Sequence, residues 1–420
     1  MEPIPYRICF FIEESRCTSK ESWTMFLNRS LLAAIILSPV IIIRGGNGAA
    51  QTYTIVSAIS MNIGIAHHSL DTMLRENKEQ SKPFRKMYLD SILSLIAQRQ
   101  ERCNEKRSLY VNPAQMAAEP ERCRSELKQL LGWPLTDEKP GCQPALRLIP
   151  VTTTDMATIK RVQIEVFDNF WFYGLLVMPS QYRSKMPLVI CQHGGYGTPE
   201  LACGLHGDNH YDDIVWRLVE KQVVVFLPQM LLWREAEEDQ DCFPGYGLPY
   251  NRVKIDAQFK QVGSSITALE VYCLIRSLDA LQFLAFIDCD HVGMTGLSYG
   301  GFYTLMTSAL EPRIRAGYAS AFFNDRVRYN WPDFTWFGSA CCFLDAEIAA
   351  LVAPRALYLE VGRQDPVFDF TTAVKEYERL KPFYEAQKAK DMLVFSVIDK
   401  AHRYDDRDVG LDFLLKHIVD

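Results

Sequence analysis

The stretch Thr295-Gly296-Leu297-Ser298-Tyr299-Gly300-Gly301 constrains this chain more than any other. Before it, Asp290-His291-Val292-Gly293-Met294 has the look of a buried strand end, and after it Phe302 to Leu310 reads as an apolar helix. The chain must therefore turn sharply from strand into helix with a serine at the apex. Gly296 and Gly300 leave room for a strained serine backbone and for close strand–helix packing. Such a turn lifts the Ser298 hydroxyl clear of the sheet and aims the start of a helix dipole at it. Glycines and serine also build ordinary turns, so the stretch needs support from the rest of the chain.

That support begins with organisation. From Pro187 the pattern alternates: a strand at Leu188 to Cys191, a helix around Asp212 to Lys221, a strand at Val223 to Leu227, and a long helix from about Gly263 to Phe283. Then comes the strand into Ser298. Further strands are expected at Ala316 to Ala319, Ala356 to Val361 and Met392 to Val397. Near-continuous apolar strands in βα alternation predict an α/β fold with a mostly parallel sheet covered by helices on both faces. Segments beginning near Ala145, with Ile159 to Val166 and Phe172 to Val177, are rich in β-branched and aromatic residues and predict an antiparallel entry to that sheet.

Ahead of the sheet, Phe84, Met87, Tyr88, Ile92, Leu95 and Ile96 recur at helical spacing and predict an amphipathic helix. A second helix follows Pro120, with Cys123, Leu127, Leu130 and Leu131 on one face and Gly132-Trp133-Pro134 as its stop. Both are expected to pack on the edge of the main domain. The division is thus a leader over 1–60, a helical extension over 61–144 and an α/β domain over 145–420.

A chain of 420 residues, 48% of them hydrophobic, can bury one large core or a large core with a smaller domain. The net charge of −6 and the lack of a Lys/Arg stripe interleaved with aromatics argue against a nucleic-acid partner. The twelve cysteines include no CxxC pair. They read as a reduced set of small buried hydrophobes, which places the protein in the cytoplasm. Ser30 to Ile43 is apolar but shorter than the about 20 residues of a membrane span, and it holds Pro39, so no stable span is expected. A disordered leader comes first among the readings of this segment. The others are an export signal over residues 30–50, a membrane anchor, or an upstream extension with Met61 as the working start.

A serine hydroxyl is a poor nucleophile until a base takes its proton, and a carboxylate must orient that base. The buried-strand pattern of Ala356 to Val361 breaks at Gly362 and presents Asp365 just beyond the strand end, where sites in open α/β sheets lie. The loop after the last strand, Lys400-Ala401-His402-Arg403-Tyr404, supplies His402. Ser298, Asp365 and His402 each follow a predicted strand, in the order Ser, Asp, His. With the Gly296 to Gly301 turn and the Gly362 to Phe368 segment, they resemble the α/β-hydrolase superfamily over about Ala145 to Asp420. Within it the chain is similar to the dienelactone-hydrolase, acetyl-xylan-esterase and prolyl-oligopeptidase group.

The resemblance implies an α/β-hydrolase fold and a serine hydrolase, with Ser298 as nucleophile, His402 as base and Asp365 as its orienting acid. The strand ending in Gln192-His193-Gly194-Gly195-Tyr196 resembles the oxyanion loop of lipases and esterases. The implied donors are the Tyr299 N–H and one within Gly194, Gly195 and Tyr196, with His193 as a positioning residue. A small-molecule carboxylic ester is the expected substrate, and no cofactor is called for. Two other readings stand beside this one. An oligopeptidase is disfavoured because the region before Ala145 is too short for a β-propeller, and a non-catalytic binding protein would have no need of all three groups.

Two insertions, Trp233 to Val262 and Phe322 to Leu344, interrupt the alternation, and loops of this length often form lids or binding walls. Tyr196, Trp233, Trp331 and Trp336 are the expected substrate-lining aromatics. His206 and His210 stand four apart, but Gly207 and Asn209 argue against a helix there and a third ligand is lacking, so no metal site is expected.

Overall fold

The computed structural model describes residues 42–44, 50–52, 76–133, 143–181, 185–206, 211–235 and 245–419. Most of the expected leader lies outside them, apart from an antiparallel pair of β1 (Ile42–Arg44) with β2 (Ala50–Thr52). The chain divides into two compact units, residues 1–91 and 92–420. Among the described residues no helix is long and apolar enough to cross a membrane.

Nine strands build one sheet in the second unit. They are β3 (Ala145–Thr153), β4 (Ala157–Phe167), β5 (Phe170–Pro179), β6 (Met186–Gln192), β7 (Val224–Pro228), β8 (Ile287–Leu297), β9 (Ile314–Ser320), β10 (Ala356–Gly362) and β11 (Leu393–Ile398). Their spatial order is β11-β10-β9-β8-β6-β7-β5-β4-β3. β3, β4 and β5 form the antiparallel entry, and β5 meets β7 antiparallel. From β7 to β11 every pairing is parallel. All the C-terminal ends of these six strands therefore open on one edge of the sheet.

Both faces are covered, which is why the central strands read as unbroken apolar runs. On β6, Leu188 and Ile190 belong to one core, together with Ile266–Leu281 and Tyr299–Leu310. Val189 and Cys191 point to the other, closed by Ile214–Glu220 and Val409–Lys416. The two-residue period of a strand sends alternate side chains to opposite cores.

The second N-terminal helix, Pro120–Leu131, forms as expected and is stopped by Gly132 at φ 89°. Its Cys123, Leu127 and Leu131 are buried in the first core. The first helix, Lys78–Tyr110, differs from expectation. The stripe from Phe84 to Ile96 stays exposed, and burial begins only near the helix end, at Arg107. A helix of 33 residues is about 50 Å long at 1.5 Å per residue, and Arg107 is its one buried residue. Arg107 bonds Glu376 at 3.2 and 3.3 Å, so this end is held by a buried ion pair and by a disulfide from Cys103 rather than by the apolar stripe.

Two further expectations change. The cysteines are not all reduced, because Cys103 and Cys341 form a disulfide across 238 positions, a pairing that spacing alone does not signal. Cys123, Cys191, Cys203 and Cys273 are buried thiols, as small hydrophobes would be. The insertion from Trp233 to Val262 also contains a helix, Arg252–Gln261, started by Asn251, whose side chain accepts the Lys254 N–H.

Candidate active site

The turn after β8 holds Ser298 at φ 60°, ψ −119°, a conformation that costs a non-glycine residue of order 1–3 kcal/mol and persists only where the surroundings impose it. Those surroundings are tight. A side-chain carbon on Gly296 would stand 2.2 Å from the Gly300 carbonyl oxygen, and one on Gly300 would stand 2.1 Å from the Gln192 carbonyl oxygen. Only glycine at both positions lets the helix start pass this close to β6 and β8. The Ser298 N–H donates to the Ser320 carbonyl at 2.9 Å, while the Ser298 carbonyl accepts the Phe302 N–H at 3.0 Å and opens the helix. The Tyr299 N–H lies in the first helical turn, whose amides have no intrahelical partner.

Two and three strands away along the same edge, Asp365 follows β10 and His402 follows β11. Their loops are tied by Arg363 N–H to the Ile398 carbonyl at 2.8 Å and Gln364 N–H to the Lys400 carbonyl at 3.0 Å. Asp365 Oδ1 accepts the N–H groups of Val367 at 2.7 Å and Phe368 at 3.1 Å, which leaves Oδ2 to face His402 Nδ1 at 2.8 Å. The carboxylate is 1% exposed and the imidazole 24%, so the acid is sealed beneath a base that still reaches solvent. An ionised carboxylate can only accept. Nδ1 therefore carries the proton, and the lone pair lies on Nε2.

The His402 loop is clamped by residues that sequence reasoning had not singled out. Asp212 pairs with Arg403 and accepts the Tyr404 N–H at 3.1 Å, while Arg217 reaches the Asp405 carbonyl at 3.1 Å and pairs with Asp408. These contacts span 188 to 192 positions and leave no local pattern.

The loop after β6 lies against the serine. A side-chain carbon on Gly194 would be 3.4 Å from Ser298 Cβ. His193 is buried beneath this loop, with Nε2 accepting the Met230 N–H at 3.2 Å and Nδ1 at 2.9 Å from the Gly194 carbonyl. An amide N–H can only donate, so Nε2 is the acceptor and the proton sits on Nδ1, which donates to Gly194. Burial holds the imidazole down at about 4, against the opposing pull of the Gly194 carbonyl, and His193 is neutral at pH 7. The Gly194 N–H is itself donated to Tyr211 Oη at 3.0 Å. Tyr196 stands at φ 62° and is exposed at the rim, bridged to Trp233.

The aromatic residues divide. Trp331 is partly exposed and stacks on Tyr299, with centroids 6.1 Å apart and planes at 11°. It also meets Phe368 edge-on at 5.9 Å, and Phe368 stacks on His402 at 5.9 Å. One aromatic series thus runs from the residue after Ser298 to His402. Trp336 differs, being buried with the Arg326 guanidinium 5.1 Å over its ring, and belongs to the core. Trp233 donates its indole N–H to the Leu248 carbonyl at 3.1 Å and leans on Tyr250.

Beneath Tyr299 lies a buried polar cluster. Asp333 accepts from Tyr299 Oη at 3.0 Å and from Arg252 Nε at 2.6 Å, and Arg252 pairs with Glu270 at 2.8 Å. It pins the second insertion to the first. Of the two histidines weighed for a metal, His206 lies 3.4 Å from Tyr246 Oη and His210 is outside the described residues. Among the described residues no three His, Cys, Asp or Glu side chains are grouped to hold a metal ion.

The nine-stranded sheet with helices on both faces recurs in solved structures. The chain has the α/β-hydrolase fold. It is similar to a proposed acetyl xylan esterase from Bacteroides fragilis, with a TM-score of 0.55 and 13% identity over 73% of this chain and 84% of that one. A methylesterase matches with a TM-score of 0.54 and 18% identity over 77% and 68%. A glucuronoyl esterase from Solibacter usitatus matches at 0.50 and 13% over 72% and 93%. No family model and no curated protein matches the chain.

Proposed function

We propose that the chain is a serine hydrolase that cleaves carboxylic esters through an acyl-enzyme. The observation that carries this reading is the 2.8 Å bond between His402 Nδ1 and the sealed Asp365 carboxylate, on the same sheet edge as the strained Ser298. His402 Nε2 takes the Ser298 proton as Oγ attacks the ester carbonyl. The tetrahedral oxygen is held by the Tyr299 N–H and by a donor from Gly195 or Tyr196, since Tyr211 already occupies the Gly194 N–H. His402 returns the proton to the departing alcohol, and a water then releases the acid by the same route.

Small or carbohydrate esters fit a half-exposed aromatic wall at Trp331, and ester hydrolysis is the activity named for the similar structures. The test is turnover of p-nitrophenyl acetate together with fluorophosphonate labelling. The parent is expected to label at Ser298 and turn over, and Ser298→Ala to do neither. Undiminished turnover by Ser298→Ala would end this reading, and faster cleavage of peptides than of acyl esters would replace it with the peptidase.

A further inference from the structure

Glu360 is a buried carboxylate to which the reaction proposed above gives no task. Glu360 sits on β10, is 0% exposed, and precedes Asp365 by five residues. Its Oε1 accepts from Ser320 Oγ at 2.8 Å, from Tyr318 Oη at 2.9 Å and from the Asp405 N–H at 3.2 Å. Its Oε2 is buried with no hydrogen-bond partner. A core position of this kind is cheaper to fill with an apolar side chain, so the acid requires an explanation.

The partners supply one. Ser320 is the residue whose carbonyl holds the Ser298 N–H at 2.9 Å. Asp405 lies three residues beyond His402, in the loop that carries it. The backbone of Glu360 joins the same set, its carbonyl accepting the Ala321 N–H at 2.8 Å. One carboxylate oxygen thus gathers donors from the support of Ser298 and from the loop of His402.

We infer that Glu360 is a positioning residue that sets the His402 loop against the support of Ser298. This rests on the reading of Ser298 and His402 as nucleophile and base. Around the carboxyl stand Tyr318 and Ser320 from β9, Tyr358 from its own strand, Ser396 opposite on β11, and Tyr404 and Asp405 from the loop. Asp405 is itself paired with Arg407. Burial pushes the Glu360 carboxyl up to about 7 against the pull of its three donors. Its protonated form keeps the linkage, because the proton can settle on the unpartnered Oε2 while Oε1 goes on accepting. Glutamine, with an amide oxygen in the place of Oε1, preserves the same linkage. Methionine has the length but only a weakly accepting sulfur in place of the carboxyl.

The experiment compares the parent, Glu360→Met and Glu360→Gln in p-nitrophenyl acetate kinetics and in the proton resonance of His402 Nδ1–H. Glu360→Met is expected to lose about 10- to 100-fold in kcat, the scale of a small misplacement at reacting groups, with KM within about twofold. Its His402 resonance should shift or broaden, and Glu360→Gln should recover both the resonance and most of kcat. A folded Glu360→Met with the parent's kcat and resonance would overturn the inference. If Glu360→Met does not fold, the triple variant Tyr318→Phe, Ser320→Ala, Glu360→Met removes both side-chain partners with the acid, so that only the Asp405 N–H is left without its acceptor. It should show the same loss of kcat, and parent-like kcat there overturns the inference equally. A parent that neither labels nor turns over would defeat the hydrolase reading instead, while the resonance would still report whether Glu360 holds His402.

Discussion

His402 Nδ1 lies 2.8 Å from Asp365 Oδ2, and the other oxygen of that carboxylate is occupied by two backbone N–H groups from its own turn. The turn therefore fixes the acid before the histidine arrives, and the acid fixes which imidazole nitrogen is free. Asp365→Asn keeps the shape but allows an amide N–H to face Nδ1, which favours the wrong tautomer. The expected outcome is a fall in kcat of about 10³- to 10⁴-fold with little change in melting temperature. Steady-state hydrolysis of p-nitrophenyl acetate, with circular dichroism as the folding control, checks it.

Gly300 makes a different kind of prediction, because its cost is steric rather than chemical. A Cβ there would meet the Gln192 carbonyl oxygen at 2.1 Å, and this is backbone that cannot swing aside. Gly300→Ala must push the helix start away from β6 and drag Ser298 with it. About 2–4 kcal/mol of stability should be lost, at the upper end of what overpacking costs. Urea unfolding measures this directly, and a loss under about 0.5 kcal/mol, the scale of a neutral surface change, would show the turn to be slack.

The parts of this fold visible in the sequence are those written in local pattern. β6, β7 and β10 show as apolar runs because both of their faces are buried, and the Ser298 turn shows because close approach demands glycine at fixed offsets. Asp365 and His402 could be picked out by their place after strands. What stayed hidden depends on contacts between distant segments. Nothing near Asp212 says that it will hold Arg403, and nothing near Glu360 says that Asp405 will reach it. Trp331 and Trp336 look alike in sequence, yet Arg326 covers one and leaves the other at the surface. The helix Arg252–Gln261 leaves no apolar stripe in the sequence, since Asp256 is its one buried residue.

The aromatic wall depends on Arg252, whose guanidinium is shared between Glu270 and Asp333 with all three side chains less than 10% exposed. Arg252→Met would leave two carboxylates buried without a cation, a change that typically costs about 3–5 kcal/mol. Asp333 also anchors Tyr299, on which Trp331 stacks, so the surviving folded fraction should bind substrate more weakly. Chemical denaturation and KM for p-nitrophenyl acetate are the measurements. A variant as stable as the parent would mean that these carboxylates find water or protons at little cost.

His193 yields a pH dependence with a definite sign. Its folded value of about 4 lies below the ordinary 6.5 because burial disfavours the imidazolium, and protonation would also oppose the Met230 N–H directed at Nε2. Above pH 6.5 both folded and unfolded states hold it neutral. As pH falls from 6.5 toward 4 the unfolded chain takes up a proton that the folded chain refuses, so stability is lost across that window, by about 3 kcal/mol at its end. Glu360 acts in the opposite direction. Its carboxyl is raised from 4.5 to about 7 by burial, so the folded state keeps a proton that the unfolded state releases, and stability falls as pH rises through that range. The two partly cancel in the parent, and the contribution of His193 must be read by difference. Urea unfolding of the parent and His193→Gln at pH 7, 5 and 4 should show the variant with the smaller loss on acidification. Parallel curves for the two proteins would mean that His193 takes up its proton in the folded state as readily as in the unfolded one.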